Sequence, residues 1–163
     1  MKDNKDPGKD DGVRVLVFGM GNLLRSDDGV GLQVIGALGE EKIGDTIDVI
    51  EGSSCLDILD ALKGYRRIII VDAIQTGGEP GTIYKFSLED FKDKHTIHSY
   101  STHLNMDFPT MLELREKLFP GEIPLDIIVI AIEADDITTI SETCTPKVRK
   151  AIPEAVDMIK GLI

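Results

Sequence analysis

Arg67-Ile68-Ile69-Ile70-Val71-Asp72 carries four β-branched residues in a row. Branching at Cβ favours extended backbone, and an unbroken apolar run, unlike an alternating one, needs cover on both faces. Such a strand belongs in the middle of a largely parallel sheet with helices above and below it. The rest of the chain supplies the matching elements. Val13-Arg14-Val15-Leu16-Val17-Phe18, which ends at Gly19, reads as a strand, as do Ile47–Ile50 and Leu125–Ile132. Thr82–Phe86 leaves the turn Gly77–Gly81 as a fourth strand in chain order, antiparallel at an edge. Helices are predicted from about Asp28 to Glu41, over Leu56–Leu62 with Gly64 at the C-terminal stop, and from about Leu104 to Leu118. A last helix starts at Thr145-Pro146, Thr as N-cap and Pro in the first turn. Residues 93–103 read as a loop. The expected fold class is α/β, a single twisted, mostly parallel five-stranded sheet with helices on both faces. It occupies residues 13–163 as one domain, behind a leader of residues 1–12 that has nothing to bury and reads as disordered.

Composition narrows the function classes. The 163 residues are 42% hydrophobic, yet no apolar run approaches the roughly 18–20 residues that cross a bilayer. Membrane association is not expected, and the protein reads as cytoplasmic. The net charge of −11 repels phosphate backbones and no basic stripe offsets it, so nucleic acid is not an expected partner. Cys55 and Cys144 form neither a Cys-x-x-Cys pair nor a metal-type spacing and read as reduced and structural. No exposed apolar heptad calls for assembly, which leaves a monomer as the expectation.

In open α/β sheets ligands gather beyond the carboxyl ends of the parallel strands, and three polar clusters fall at such places. The first is Gly19-Met20-Gly21-Asn22-Leu23-Leu24-Arg25-Ser26-Asp27-Asp28-Gly29-Val30-Gly31. It is not a dinucleotide loop, because Leu24 stands where Gly-x-Gly-x-x-Gly needs glycine, and no Gly-Lys-Ser/Thr is present. Ser26 or Asp27 is expected to cap the following helix and leave Asp28 to point elsewhere. Taken alone, Asp28 is most simply an acidic residue complementing a helix N-terminus. The second is Asp72, at the end of the most apolar strand, where a carboxylate is costly to desolvate unless something pairs with it; it could also cap a turn. The third holds all three histidines, His95, His98 and His103, of which His103 is anchored beside the helix from Leu104. Two carboxylates and an imidazole converging there would make an open divalent-metal site suited to nickel or zinc.

The first cluster closely resembles the opening motif of the hydrogenase maturation proteases, Gly-x-Gly-Asn followed by Asp-Asp/Glu-Gly-x-Gly. The resemblance continues through Glu51-Gly52-Ser53-Ser54, Ile70-Val71-Asp72-Ala73, Pro80-Gly81-Thr82, Ser101-Thr102-His103 and Thr145-Pro146-Lys147-Val148, nearly the whole chain after residue 12. It departs from the family at Gly52-Ser53-Ser54, often Gly-Gly-Thr, and at Ala134, often Pro.

That resemblance implies a five-stranded twisted sheet and an endopeptidase that removes the C-terminal extension of a nickel-loaded hydrogenase large-subunit precursor. The implied metal ligands, which are also the implied catalytic set, are Asp28, Asp72 and His103. The nickel is presented by the substrate, and zinc or cadmium could take its place in a crystal. The implied partner is the large-subunit precursor. The family is often classed with aspartic peptidases, although a need for metal argues against a plain two-aspartate mechanism. Gly21 and Asn22 either offer backbone amides to the precursor's tail or serve only the turn, Gly21 through its conformational freedom and Asn22 as a left-handed residue. A metal-recognising maturation chaperone that does not cut, and a nucleotide-binding α/β enzyme, are the alternatives.

Overall fold

The computed structural model describes residues 14–92, 108–124 and 126–163. Among them, strands β1 (Val15–Met20), β2 (Ile47–Gly52), β3 (Arg67–Ile74), β4 (Ile83–Ser87) and β5 (Asp126–Glu133) form one sheet in the order β2-β1-β3-β5-β4. All neighbours pair in parallel except β4, which lies antiparallel to β5 at an edge, as its turn predicts. The helices are α1 (Val30–Gly39), α2 (Cys55–Ala61), α3 (Leu88–Lys92), α4 (Phe108–Leu118) and α5 (Pro146–Lys160). No helix among the described residues is long and apolar enough to cross a membrane.

Side-chain alternation along the strands divides the core into two layers. Val15, Val17, Ile69, Val71, Ile128 and Ile130 pack under α1 and α5. Leu16, Phe18, Ile68, Ile70, Ile127 and Val129 pack under α2 and α4. Ile68, Ile69, Ile70 and Val71 are all fully buried, as a central parallel strand requires.

Three local expectations are corrected. The helix expected from about Asp28 starts at Val30, because Ser26–Gly29 form a 3₁₀ turn before it. Neither Ser26 nor Asp27 caps α1; both side chains are committed to the loop between β5 and α5. β3 does not end at Asp72 but runs to Ile74, with Asp72 paired to Ala131 inside the ladder. Short α3 has no sequence counterpart above. The leader of residues 1–12, the loop 93–103 and the three histidines lie outside the described residues, as do positions 104–107 of the helix expected from Leu104.

Candidate active site at the sheet's switch point

From β1 the chain passes through α1 to β2 on one side, then crosses to β3 on the other. The crevice between β1 and β3 is therefore the point where strand order reverses, the usual ligand position in such sheets. The ladder between them reaches only to the Gly19–Val71 pair. Asp72 is the next residue on β3, and Asp28 sits in the 3₁₀ turn that follows β1 and packs against β3. The two residues thus flank one crevice, and the Asp72 Oδ1 accepts from the Ala73 amide at 2.9 Å. Both aspartates are buried, at 4% and 1% exposure.

Backbone contacts fix the turn that carries Asp28. The Asn22 amide donates to the Asp28 carbonyl at 3.2 Å, and the Asp28 amide donates to the Arg25 carbonyl at 3.1 Å. Gly21 has φ 147°, and a Cβ there would collide with the Asp28 carbonyl. Only glycine meets both conditions. Asn22 is not the left-handed residue of the turn. Its Oδ1 accepts from the Leu24 amide at 3.0 Å, an Asx turn, and the left-handed position is Ser26 at φ 49°.

Asp27 and Asp28 have separate partners. The Asp27 carboxylate is fully buried and accepts from the amides of Asp135 (2.9 Å), Asp136 (3.0 Å) and Thr145 (2.6 Å) and from the Thr145 hydroxyl (2.9 Å). It binds the first loop to the loop after β5. Thr145 still precedes Pro146 at the start of α5, but its hydroxyl is spent on Asp27. Cys144 lies in the same junction, its Sγ 3.8 Å from the Ser26 carbonyl. Burial, and then the charge of Asp27, push its thiol up from 9.0 to about 12, so it is an inert structural cysteine.

Beside Asp28 a cleft of about 700 Å³ opens between the first loop and the end of β2. Gly21, Asn22, Arg25, Asp28, Glu51 and Asp57 all contribute to its lining. The Ser53 amide, and then that of Ser54, hold the Asp57 carboxyl below the usual carboxylate range. Asp28, Glu51 and Asp57 put carboxyl groups on this wall, and Arg25 is the one basic residue among those lining it.

The structure brings Asp28 and Asp72 to one crevice and Gly21 and Asn22 to the cleft beside it. His103, the third ligand expected, lies outside the described residues. Among those residues no three His, Cys, Asp or Glu side chains assemble as a metal cage. Two carboxylates supply hard oxygen donors but not a full shell, which fits a divalent ion that brings other ligands with it.

Sequence reasoning missed Glu133, buried at the end of β5. Its carboxylate accepts from the amides of Thr76 (2.8 Å), Gly77 (3.0 Å) and Gly78 (3.1 Å) and from the Thr76 hydroxyl (2.7 Å). These bonds fix the loop that leaves Asp72 for β4. Only the Gly77-Gly78 dipeptide, which frees backbone amides, hinted at an anion there.

The family model described as hydrogenase maturation protease matches residues 33–161. A Methanocaldococcus jannaschii protein provisionally named a hydrogenase maturation protease is 30% identical over 91% of this chain and 96% of its own. The Escherichia coli hydrogenase 2 maturation protease is 25% identical over 90% of this chain and 88% of its own. Among solved structures, the [NiFe] hydrogenase maturation protease HybD from Thermococcus kodakarensis superposes with a TM-score of 0.74 at 28% identity, covering 91% of this chain and 98% of that one.

Proposed function

This chain belongs to the hydrogenase maturation proteases, a family of peptidases, and on that footing we propose that it cuts the C-terminal extension from a nickel-loaded hydrogenase large-subunit precursor. The observation that carries this reading is the placement of Asp28 and Asp72 on the two walls of the β1–β3 crevice. His103 is assigned as the third ligand from the family resemblance. The nickel is part of the substrate, held by the precursor and completed by this protein's two carboxylates and imidazole. A metal so placed orients the segment to be cut and polarises the scissile carbonyl or an attacking water. A carboxylate of the site can take the water's proton, a step worth typically 10²–10⁴-fold. Gly21 and Asn22 hold the wall along which the tail lies. The enzyme is read as a cytoplasmic monomer, which sedimentation would check.

The test is to incubate nickel-loaded precursor with the protein and weigh the product. The wild type releases a C-terminal peptide. Asp28→Asn and His103→Ala keep the wild-type circular dichroism but slow release by about 10²-fold or more. Processing at the wild-type rate by both variants would remove the site assignment. Tight binding of the precursor with no change in its mass would instead make the protein a chaperone.

A further inference from the structure

Among the described residues β2 is the parallel edge of the sheet, paired only with β1. Its hydrogen-bond parity can be read from two bonds at its ends. The Val15 amide donates to the Thr46 carbonyl at 3.0 Å, and the Gly21 amide donates to the Gly52 carbonyl at 3.3 Å. In a parallel ladder each residue turns its N–H and C=O to the same side, and successive residues alternate. Asp48, Ile50 and Gly52 therefore face β1, while Val49 and Glu51 turn their N–H and C=O outward. Neither of those outward pairs has a partner among the described residues. The Ile47 amide is used by the Gly44 carbonyl at 3.1 Å and the Ser53 amide by Asp57 at 2.8 Å, so the open stretch is bounded at both ends.

This short edge adjoins the cleft beside Asp28, because Glu51 and Ile50 line that cleft together with Leu23. Ile50 and Leu23 are large apolar side chains with 37% and 43% of their surface exposed. Main-chain donors and acceptors at a two-residue repeat, with exposed apolar side chains alongside, are the components of strand addition. An edge of this kind is normally blunted by charge or cover; here Glu51 supplies one charge, and no described strand pairs with its outward side.

We propose that the outward edge of β2 at Val49 and Glu51 receives the C-terminal segment of the precursor as an added extended strand, with apolar side chains of that segment against Ile50 and Leu23. This rests on the protease reading above, and the partner follows from it: a flexible peptide tail that must lie extended to be cut. The added strand exchanges main-chain bonds with residues 49 and 51 and runs along the cleft toward Asp28. Alternate residues of the tail face the edge and the remainder face solvent.

Semisynthetic nickel-loaded precursors, each with a single N-methyl group at successive tail positions near the cut, test this with the unmodified enzyme. N-methylation removes one donor and blocks close approach. The expected result is a two-residue alternation, with kcat/KM falling about tenfold at every second position and little between. Glu51→Pro, which removes an outward donor at an edge that tolerates proline, should match that loss and exceed the loss in Glu51→Ala, which keeps the donor. A flat response along the tail overturns the proposal even if the Glu51→Pro protein fails to fold. Failure of the wild type to cut the unmethylated precursor overturns the protease reading and this proposal with it.

Discussion

Asp27 and Asp28 are adjacent carboxylates with different tasks. Asp27 holds two loops together through four hydrogen bonds from the loop after β5, and Asp28 faces the cleft. Replacing Asp27 by Asn keeps one acceptor but turns an amine toward buried donors. That variant is expected to lose about 2–4 kcal/mol of unfolding free energy, read from a denaturant midpoint at unchanged slope. Asp28→Asn is expected to slow processing about 10²-fold or more in a protein that still folds, which separates the two neighbours by readout. Cys144 gives a pH prediction. Its folded thiol ionises only near 12 against 9.0 ordinarily, so its contribution to stability is complete below pH 9 and is lost as pH climbs toward 12. In a Cys55→Ser background Cys144 is the remaining thiol, and iodoacetamide at pH 8 should label it only as fast as the protein unfolds. The sequence separates residue 28 from its neighbour but assigns Asp27 to a helix cap, because Asp27's actual partners lie about 110 residues away.

At the scale of elements, the strands were the most legible part. The four β-branched residues of β3 demanded burial on both faces, and β4's departure from a glycine turn announced its antiparallel pairing. Element ends were less so. β3 continues through Asp72 to Ile74 because Ala131–Glu133 continue opposite it, a partner that local sequence does not reveal. The start of α1 was misplaced for a related reason, since its expected caps are drawn into tertiary bonds. Gly31 shows how tightly that start is set. A Cβ at this position would run into the carbonyls of both Met20, the last residue of β1, and Val71, the last β3 residue paired with β1. Gly31→Ala should therefore cost about 3 kcal/mol, visible as a lowered thermal midpoint, and should displace the turn that carries Asp28.

For the molecule as a whole, the sheet order matters more than any single motif. Placing β2 and β3 on opposite sides of β1 opens one crevice and brings residues 28 and 72, remote in sequence, to its two walls. The α/β class could be read from alternating elements, but strand order could not, so the sequence put polar clusters near strand ends without showing that residues 28 and 72 flank the same crevice. The central claim is that this crevice supplies two carboxylates, and position 103 an imidazole, to a divalent ion. Anomalous diffraction at the nickel edge from crystals soaked in nickel tests it most directly. One peak is expected, bonded to carboxylate oxygens of Asp28 and Asp72 and an imidazole nitrogen of His103, at about 2.0–2.2 Å as for comparable divalent sites. Nickel bound elsewhere, with that crevice empty in the same crystals, would contradict it.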